Sequence, residues 1–280
     1  MTENSLIVDS LSWFYRETTP QNPSDKPPVL MLHGLPSHSY TWRDVMLNLA
    51  DNGFGAIAPD WIGSGMSGKP DKREFAYTAQ AYQQGLSAFI EALGLEKFSL
   101  VVQGFLASVG IQYAFTHPQK IDRLIILNTP LSPSVKLPWL MKQWGVPFMG
   151  DMVTQDPLLV DRTLEGGSGF VIPDEHLNVY RKPFLKSSAV GRALLSTTQN
   201  LKLSQTMTEI ETGFSNWQHP TLIIWGMADP WLSSEVPAQL ATKYSNVELS
   251  QLKEAKHYPQ EHWPQEVSEE IVNFLRRQAL

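Results

Sequence analysis

Short, wholly apolar runs recur along this chain, each separated from the next by a stretch with helical periodicity. That alternation restricts the fold more than any other feature. The runs Val29–His33, Gly55–Pro59, Phe98–Gln103 and Leu124–Asn128 carry no polar face, so each strand must be covered on both sides. Between the first two, Trp42, Val45, Met46 and Leu49 fall at i, i+3, i+4 and i+7, an amphipathic helix closed by Gly53. Between the next two, Tyr82, Leu86, Phe89, Ile90 and Leu93 line one helical face that stops at Gly94. A helix from the end of the third strand to about His117 completes the pattern. Strands and helices alternating at this length predict an α/β fold with a doubly wound, mostly parallel sheet.

The alternation lapses after Thr129. Up to about Gln218 there is no long strand signal, only Pro, Gly and short helical patterns such as Trp139–Trp144 and Ala189–Leu203. Strands return at Thr221–Trp225 and Val247–Leu252, and Val267, Ile271, Phe274 and Leu275 mark a last amphipathic helix. Residues 1–129 and 217–280 therefore read as the core, and 130–216 as a helical cap. Such a cap would sit over the C-terminal edge of the strands, where sheets of this kind place their sites. Leu11–Tyr15 reads as an antiparallel edge strand.

Composition narrows the function. A net charge of −6 with no run of Lys or Arg predicts no nucleic-acid partner. No apolar run is long enough for a membrane span, and the first residues, with an early Glu3, do not read as a secretory signal. With no cysteine there is no disulfide framework and no thiolate chemistry, which suits a cytoplasmic protein. No His/Asp/Glu cluster has metal-ligand spacing, so neither metal nor other cofactor is expected.

Two places carry chemistry. The stretch from Phe98 to Gly110 runs strand, sharp turn, helix, with Gln103, Gly104 and Phe105 at the turn. Asp229 stands just past a strand end and His257 on the turn after the last strand. Alone, Asp229–Pro230 is a good turn and His257 an ordinary surface histidine. Paired, a carboxylate on one imidazole nitrogen fixes the tautomer and makes the other a general base.

Four segments, His33–Trp42, Ala58–Gly65, Ile224–Pro230 and His257–Glu261, give the chain its resemblance to α/β-hydrolases of the haloalkane dehalogenase and epoxide hydrolase branch. Gln103–Phe105 is also similar to uncharacterised cyanobacterial and plastid α/β-hydrolase-like proteins. The resemblance implies a nucleophile elbow at Gly104, a triad acid at Asp229, a triad base at His257, and an oxyanion hole from the Leu35 and Phe105 amides. At the elbow the pattern breaks, because glycine has no side chain to attack with. Phe105 and Leu35 also replace the Trp and the Asn or Trp with which the related dehalogenases hold halide. Trp231, Tyr258 and the cap residue Tyr180 are pocket candidates, the last as a phenol donor. Trp139, Trp144, Phe148 and Phe170 read as packing residues, His38 and His117 as solvent-side or helix-end residues. Ser108, one turn beyond the elbow, should point away from it.

Three functions remain open on these residues. One is an enzyme acting on a small, largely apolar substrate, with Asp229 and His257 as a non-covalent acid/base pair. Another is a catalytically inactive hydrolase fold that binds a ligand or a protein partner. The last is a hydrolase with a displaced nucleophile.

Overall fold

The computed structural model describes residues 1–277. Its sheet has eight strands among those residues: β1 (Thr2–Val8), β2 (Leu11–Thr18), β3 (Val29–Leu32), β4 (Ala56–Pro59), β5 (Phe98–Gln103), β6 (Ile121–Leu127), β7 (Thr221–Gly226) and β8 (Val247–Leu252). Their order across the sheet is β1-β2-β4-β3-β5-β6-β7-β8. From β4 to β8 every pairing is parallel, whereas β1–β2 and β2–β4 are antiparallel. Leu11–Tyr15 is thus antiparallel as expected but not at the edge. The edge is Thr2–Val8, a polar alternating strand whose ladder runs from Thr2–Glu17 to Val8–Leu11.

The core helices are α1 (Arg43–Asp51), α2 (Ala79–Ala92) and α3 (Ser108–Thr116). After β6 comes a run of α4 (Trp139–Lys142), α5 (Met149–Val153), α6 (Leu158–Ser168), α7 (Asp174–Lys186), α8 (Ala189–Asn200) and α9 (Leu203–Phe214). The chain then returns to the sheet and adds α10 (Glu235–Lys243), α11 (Pro259–His262) and α12 (Pro264–Arg276). The expected Ala189–Leu203 helix is two helices, broken where Lys202 takes φ +41°. Trp42 belongs to a 3₁₀ turn, Ser39–Trp42, that leads into α1.

The two-residue period of the strands divides the core. Val29, Met31, Val101, Ile125, Leu127, Leu222 and Ile224 pack with Val45, Met46 and Leu49 of α1 and Val267, Ile271 and Phe274 of α12. Leu30, Leu32, Leu100, Val102, Leu124, Ile126 and Ile223 share a core cluster with residues of α2 and α3 and with buried residues of the later helices such as Leu164 and Tyr180. Each such aliphatic side chain contributes about 1.5–3 kcal/mol of burial, enough to hold strand ends rigidly. The carboxyl ends of β3, β5, β6 and β7 thereby become fixed points from which short turns project.

Candidate active site

Two of those turns meet. The turn after β5 carries Gly104 at φ +84°, a left-handed conformation that costs a side-chain-bearing residue energy and costs glycine little. The turn after β3 carries Gly34. A Cβ on Gly104 would stand 2.9 Å from Gly34 Cα, and one on Gly34 would stand 2.9 Å from Gly104 Cα. The two backbones can lie this close because neither residue has a side chain. The same hypothetical Gly104 Cβ lies 3.8 Å from His257 Nε2, so the imidazole faces the apex of the elbow.

The imidazole is held from behind. Its Nδ1–H donates to Asp229 Oδ2 at 2.8 Å. Asn128 Nδ2 donates to the same oxygen at 2.7 Å, and the Trp231 and Leu232 amides donate to Oδ1 at 2.8 and 3.2 Å. The carboxylate is therefore saturated with donors and fixed in place. It keeps the proton on Nδ1, which leaves a lone pair on Nε2 pointed at Gly104. Nε2 is fully buried and makes no hydrogen bond among the described residues. The Leu35 and Phe105 amides, which flank the Gly34–Gly104 contact, likewise donate to no acceptor among the described residues.

Aromatic rings close the space around Nε2. Phe105 stacks on the imidazole at 5.4 Å between centroids, Trp231 leans on it at 4.7 Å, and Tyr258 meets it edge-on at 4.8 Å. Tyr258 also donates from its phenol to Leu35 O at 2.8 Å, which fixes the β3 turn. Burial raises that phenol well above its ordinary pKa, so it is a neutral donor. Gln103 Nε2 donates to His257 O at 2.8 Å, and the His257 amide donates to Gly167 O of α6 at 2.9 Å. A side chain at Gly167 would run into the rings of Tyr258 and Trp231.

Of the three pocket candidates, Trp231 and Tyr258 pack against His257, whereas Tyr180 is engaged elsewhere. Its phenol donates to Glu261 Oε2 at 2.6 Å, and its ring packs on His38 and Tyr40. Glu261 is in turn paired with Arg43 at 2.9 Å. The expected phenol donor is a seam between α7 and the core. His38 stands at a helix end, as N-cap of the Ser39–Trp42 turn, but it is 2% exposed rather than solvent-side, with Nε2 bonded to Val179 O at 3.3 Å. Ser108 donates from Oγ to Phe105 O at 2.7 Å, turned away from the elbow as expected. Trp144 is buried and the half-exposed Phe170 packs on His262 and Trp263, but Trp139 and Phe148 are exposed. Sequence reasoning missed Asn128. Its signal was a polar residue ending an otherwise apolar strand at the edge where the other site residues gather.

The model of the alpha/beta hydrolase fold family matches residues 27–262. This chain belongs to the alpha/beta hydrolase fold family. Among relatives, a cis-3-alkyl-4-alkyloxetan-2-one decarboxylase of Shewanella oneidensis is 28% identical over 89% of this chain and 81% of its own length. A haloalkane dehalogenase of Mycolicibacterium paratuberculosis is 26% identical, covering 93% of this chain and 86% of the relative. The solved haloalkane dehalogenase of Bradyrhizobium elkani superposes with a TM-score of 0.85 at 26% identity, over 98% of this chain and 97% of that one. In this member of the fold family Gly104, Asp229 and His257 stand on the turns that follow β5, β7 and β8.

Proposed function

We propose that this protein binds a small, largely apolar molecule under its helical cap and moves a proton on it without forming a covalent intermediate. The observation that carries the reading is the grouping of three unpaired, buried polar groups around a residue with no side chain: His257 Nε2 and the amides of Leu35 and Phe105. Buried polar groups are normally satisfied, and a set left open at one point is matched to something that arrives there. A carbonyl or alkoxide oxygen suits the two amides, and an ionisable C–H, O–H or water suits the imidazole. In such a step Nε2 takes the proton, Asp229 stabilises the imidazolium, and the amides hold the charge left on oxygen. The proton then returns from Nε2 to the product. Relatives named for decarboxylation, dehalogenation and epoxide hydrolysis all act on small molecules, which supports the substrate size and not the reaction. Dehalogenation itself is disfavoured, because Gly104 offers no carboxylate and Phe105 no indole N–H for halide.

One observation favours the inactive binding protein instead. His257 is fully buried, with Phe105 and Trp231 directly against it, so a ligand must displace aromatic side chains to reach Nε2. A crystal structure of the protein soaked with small ketones and amides separates the two. The proposal expects the ligand oxygen at the Leu35 and Phe105 amides and a polar contact to Nε2. A site still filled by Phe105 and Trp231 at saturating ligand would hand the case to the binding reading.

A further inference from the structure

Three rings enclose Nε2 of His257, and they are not held alike. Phe105 is fully buried against the imidazole, and its own backbone forms the elbow and accepts the bond from Ser108 Oγ. Tyr258 is 1% exposed and pinned at its far end by the bond from its phenol to Leu35 O. Turning that ring out would strand a buried hydroxyl and a buried carbonyl, both costly to leave unpaired.

Trp231 differs from both. Its side chain is partly exposed and packs against the core, and its indole N–H bonds to no described residue. Its backbone, by contrast, is fixed: its amide donates to Asp229 Oδ1 at 2.8 Å, and the Leu232 amide donates to the same oxygen at 3.2 Å. The ring can therefore turn about its side-chain bonds without moving the carboxylate that holds the imidazole. Such a turn breaks no hydrogen bond and gives up only apolar contact.

The ring's position shows what a turn would open. A Cβ on Gly167 would stand 2.6 Å from Trp231 Cη2 and 2.5 Å from Tyr258 Cε2, so both rings lie against bare backbone of α6. On its other side the indole is 4.7 Å from the imidazole, centroid to centroid. Swung outward, it would leave a space of its own size between α6 and His257.

We propose that Trp231 is the gate of this site: its indole swings toward solvent on a fixed backbone and admits a ligand beside Nε2, while Phe105 and Tyr258 stay. The inference rests on the reading that Nε2 is the atom a ligand must reach. It also narrows the ligand. The vacated space meets the Tyr258 ring and the α6 backbone, so what enters is uncharged, largely apolar and about the size of the ring it replaces.

Carbethoxylation by diethyl pyrocarbonate, mapped by peptide mass, tests the gate without a substrate. The reagent needs only access to an unprotonated imidazole nitrogen, so the result does not depend on whether the dyad turns over a ligand. In the native chain His257 should react more slowly than the partly exposed His117 and His219. A minor open state populated at about 0.1–10% slows labelling in proportion, so Trp231→Ala should speed it at His257 by at least about tenfold. Trp231→Phe keeps a ring over the imidazole and should fall between the two. His33, as fully buried as His257, monitors general loosening of the fold and should keep its native rate in both variants. Native-rate labelling of His257 in Trp231→Ala, or equal acceleration at His33, overturns the proposal. So does a larger acceleration at His257 from Phe105→Leu than from Trp231→Ala. Acceleration confined to His257 in Trp231→Ala, with soaked ketones still making no contact to Nε2, supports the gate and removes the proton-transfer reading.

Discussion

Restoring one side chain at the elbow asks whether the surrounding groups stand in catalytic register. In Gly104→Ser the new Cβ lies 3.8 Å from His257 Nε2, which brings a serine Oγ within the roughly 2.6–3.2 Å needed for base activation. The backbone resists, because φ is +84° and the Cβ falls 2.9 Å from Gly34 Cα, so the β3 turn must move away to admit it. A strained position of this kind costs about 1–3 kcal/mol, a loss of roughly 2–5 °C in Tm for a domain of this size. Gly104→Ala carries the same strain without a hydroxyl and serves as the control. If Asp229, His257 and the two amides are aligned, Gly104→Ser hydrolyses p-nitrophenyl acetate at least about 10²-fold faster than Gly104→Ala, the lower end of what a positioned base contributes. It should also take up one fluorophosphonate per chain. A Gly104→Ser protein with native circular dichroism and the expected Tm, but without hydrolysis or labelling, refutes the alignment and with it the proposed proton transfer.

The native chain should remain unlabelled by fluorophosphonate in intact-mass spectra, and labelling at Ser108 would restore the displaced nucleophile. With a turned-over ligand in hand, His257→Ala should lower kcat by about 10²–10⁴-fold with little change in KM, and Asp229→Asn should follow it by releasing the tautomer; native rates in both variants would make the pair a relic. Tyr180→Phe removes a donor from the buried Glu261 carboxylate and should lower the unfolding free energy by about 1.5–3 kcal/mol in denaturant titrations, a cost that vanishes if water replaces the phenol. His38 titrates near 4 in the fold, because burial outweighs the attraction of Asp60, against 6.5 when free. Between those values the unfolded chain holds the extra proton, so acid destabilises the fold there; Tm should fall as pH drops from about 6.5 to 4, less steeply in His38→Gln, and parallel curves would remove His38 as the cause.

The parallel core was legible because wholly apolar four-to-six-residue runs admit few other placements. Thr2–Val8 escaped notice since its first four residues are polar and its apolar ones, Leu6, Ile7 and Val8, are consecutive, so no two-residue period shows. Asp229 and His257 were paired by the resemblance to the hydrolase family, and they lie 2.8 Å apart. Asn128 could not be joined to them, because its bond to Asp229 spans 101 residues and depends on how β6 and β7 align. The cap was legible as helical but not as inside or outside. Periodicity assigns a face to a long helix, whereas α4 and α5 span four and five residues and show no face, which is why Phe148 read as packing and proved exposed. The partners of Tyr180 and the burial of His38 were illegible for a related reason: a polar residue can be buried only where its partner already waits, and Glu261 and Val179 lie far along the chain.

The bond from the His257 amide to Gly167 O makes the end of α6 part of the site's own framework. The cap cannot be exchanged between relatives as a detachable module cut at its two junctions, because the imidazole's backbone is moored to the middle of it. Any motion that lifts α6 must either drag His257 from its carboxylate or first break that single bond. Substitutions around Gly167 should therefore be felt as changes in chemistry, by a route that a map of ligand contacts would never reveal.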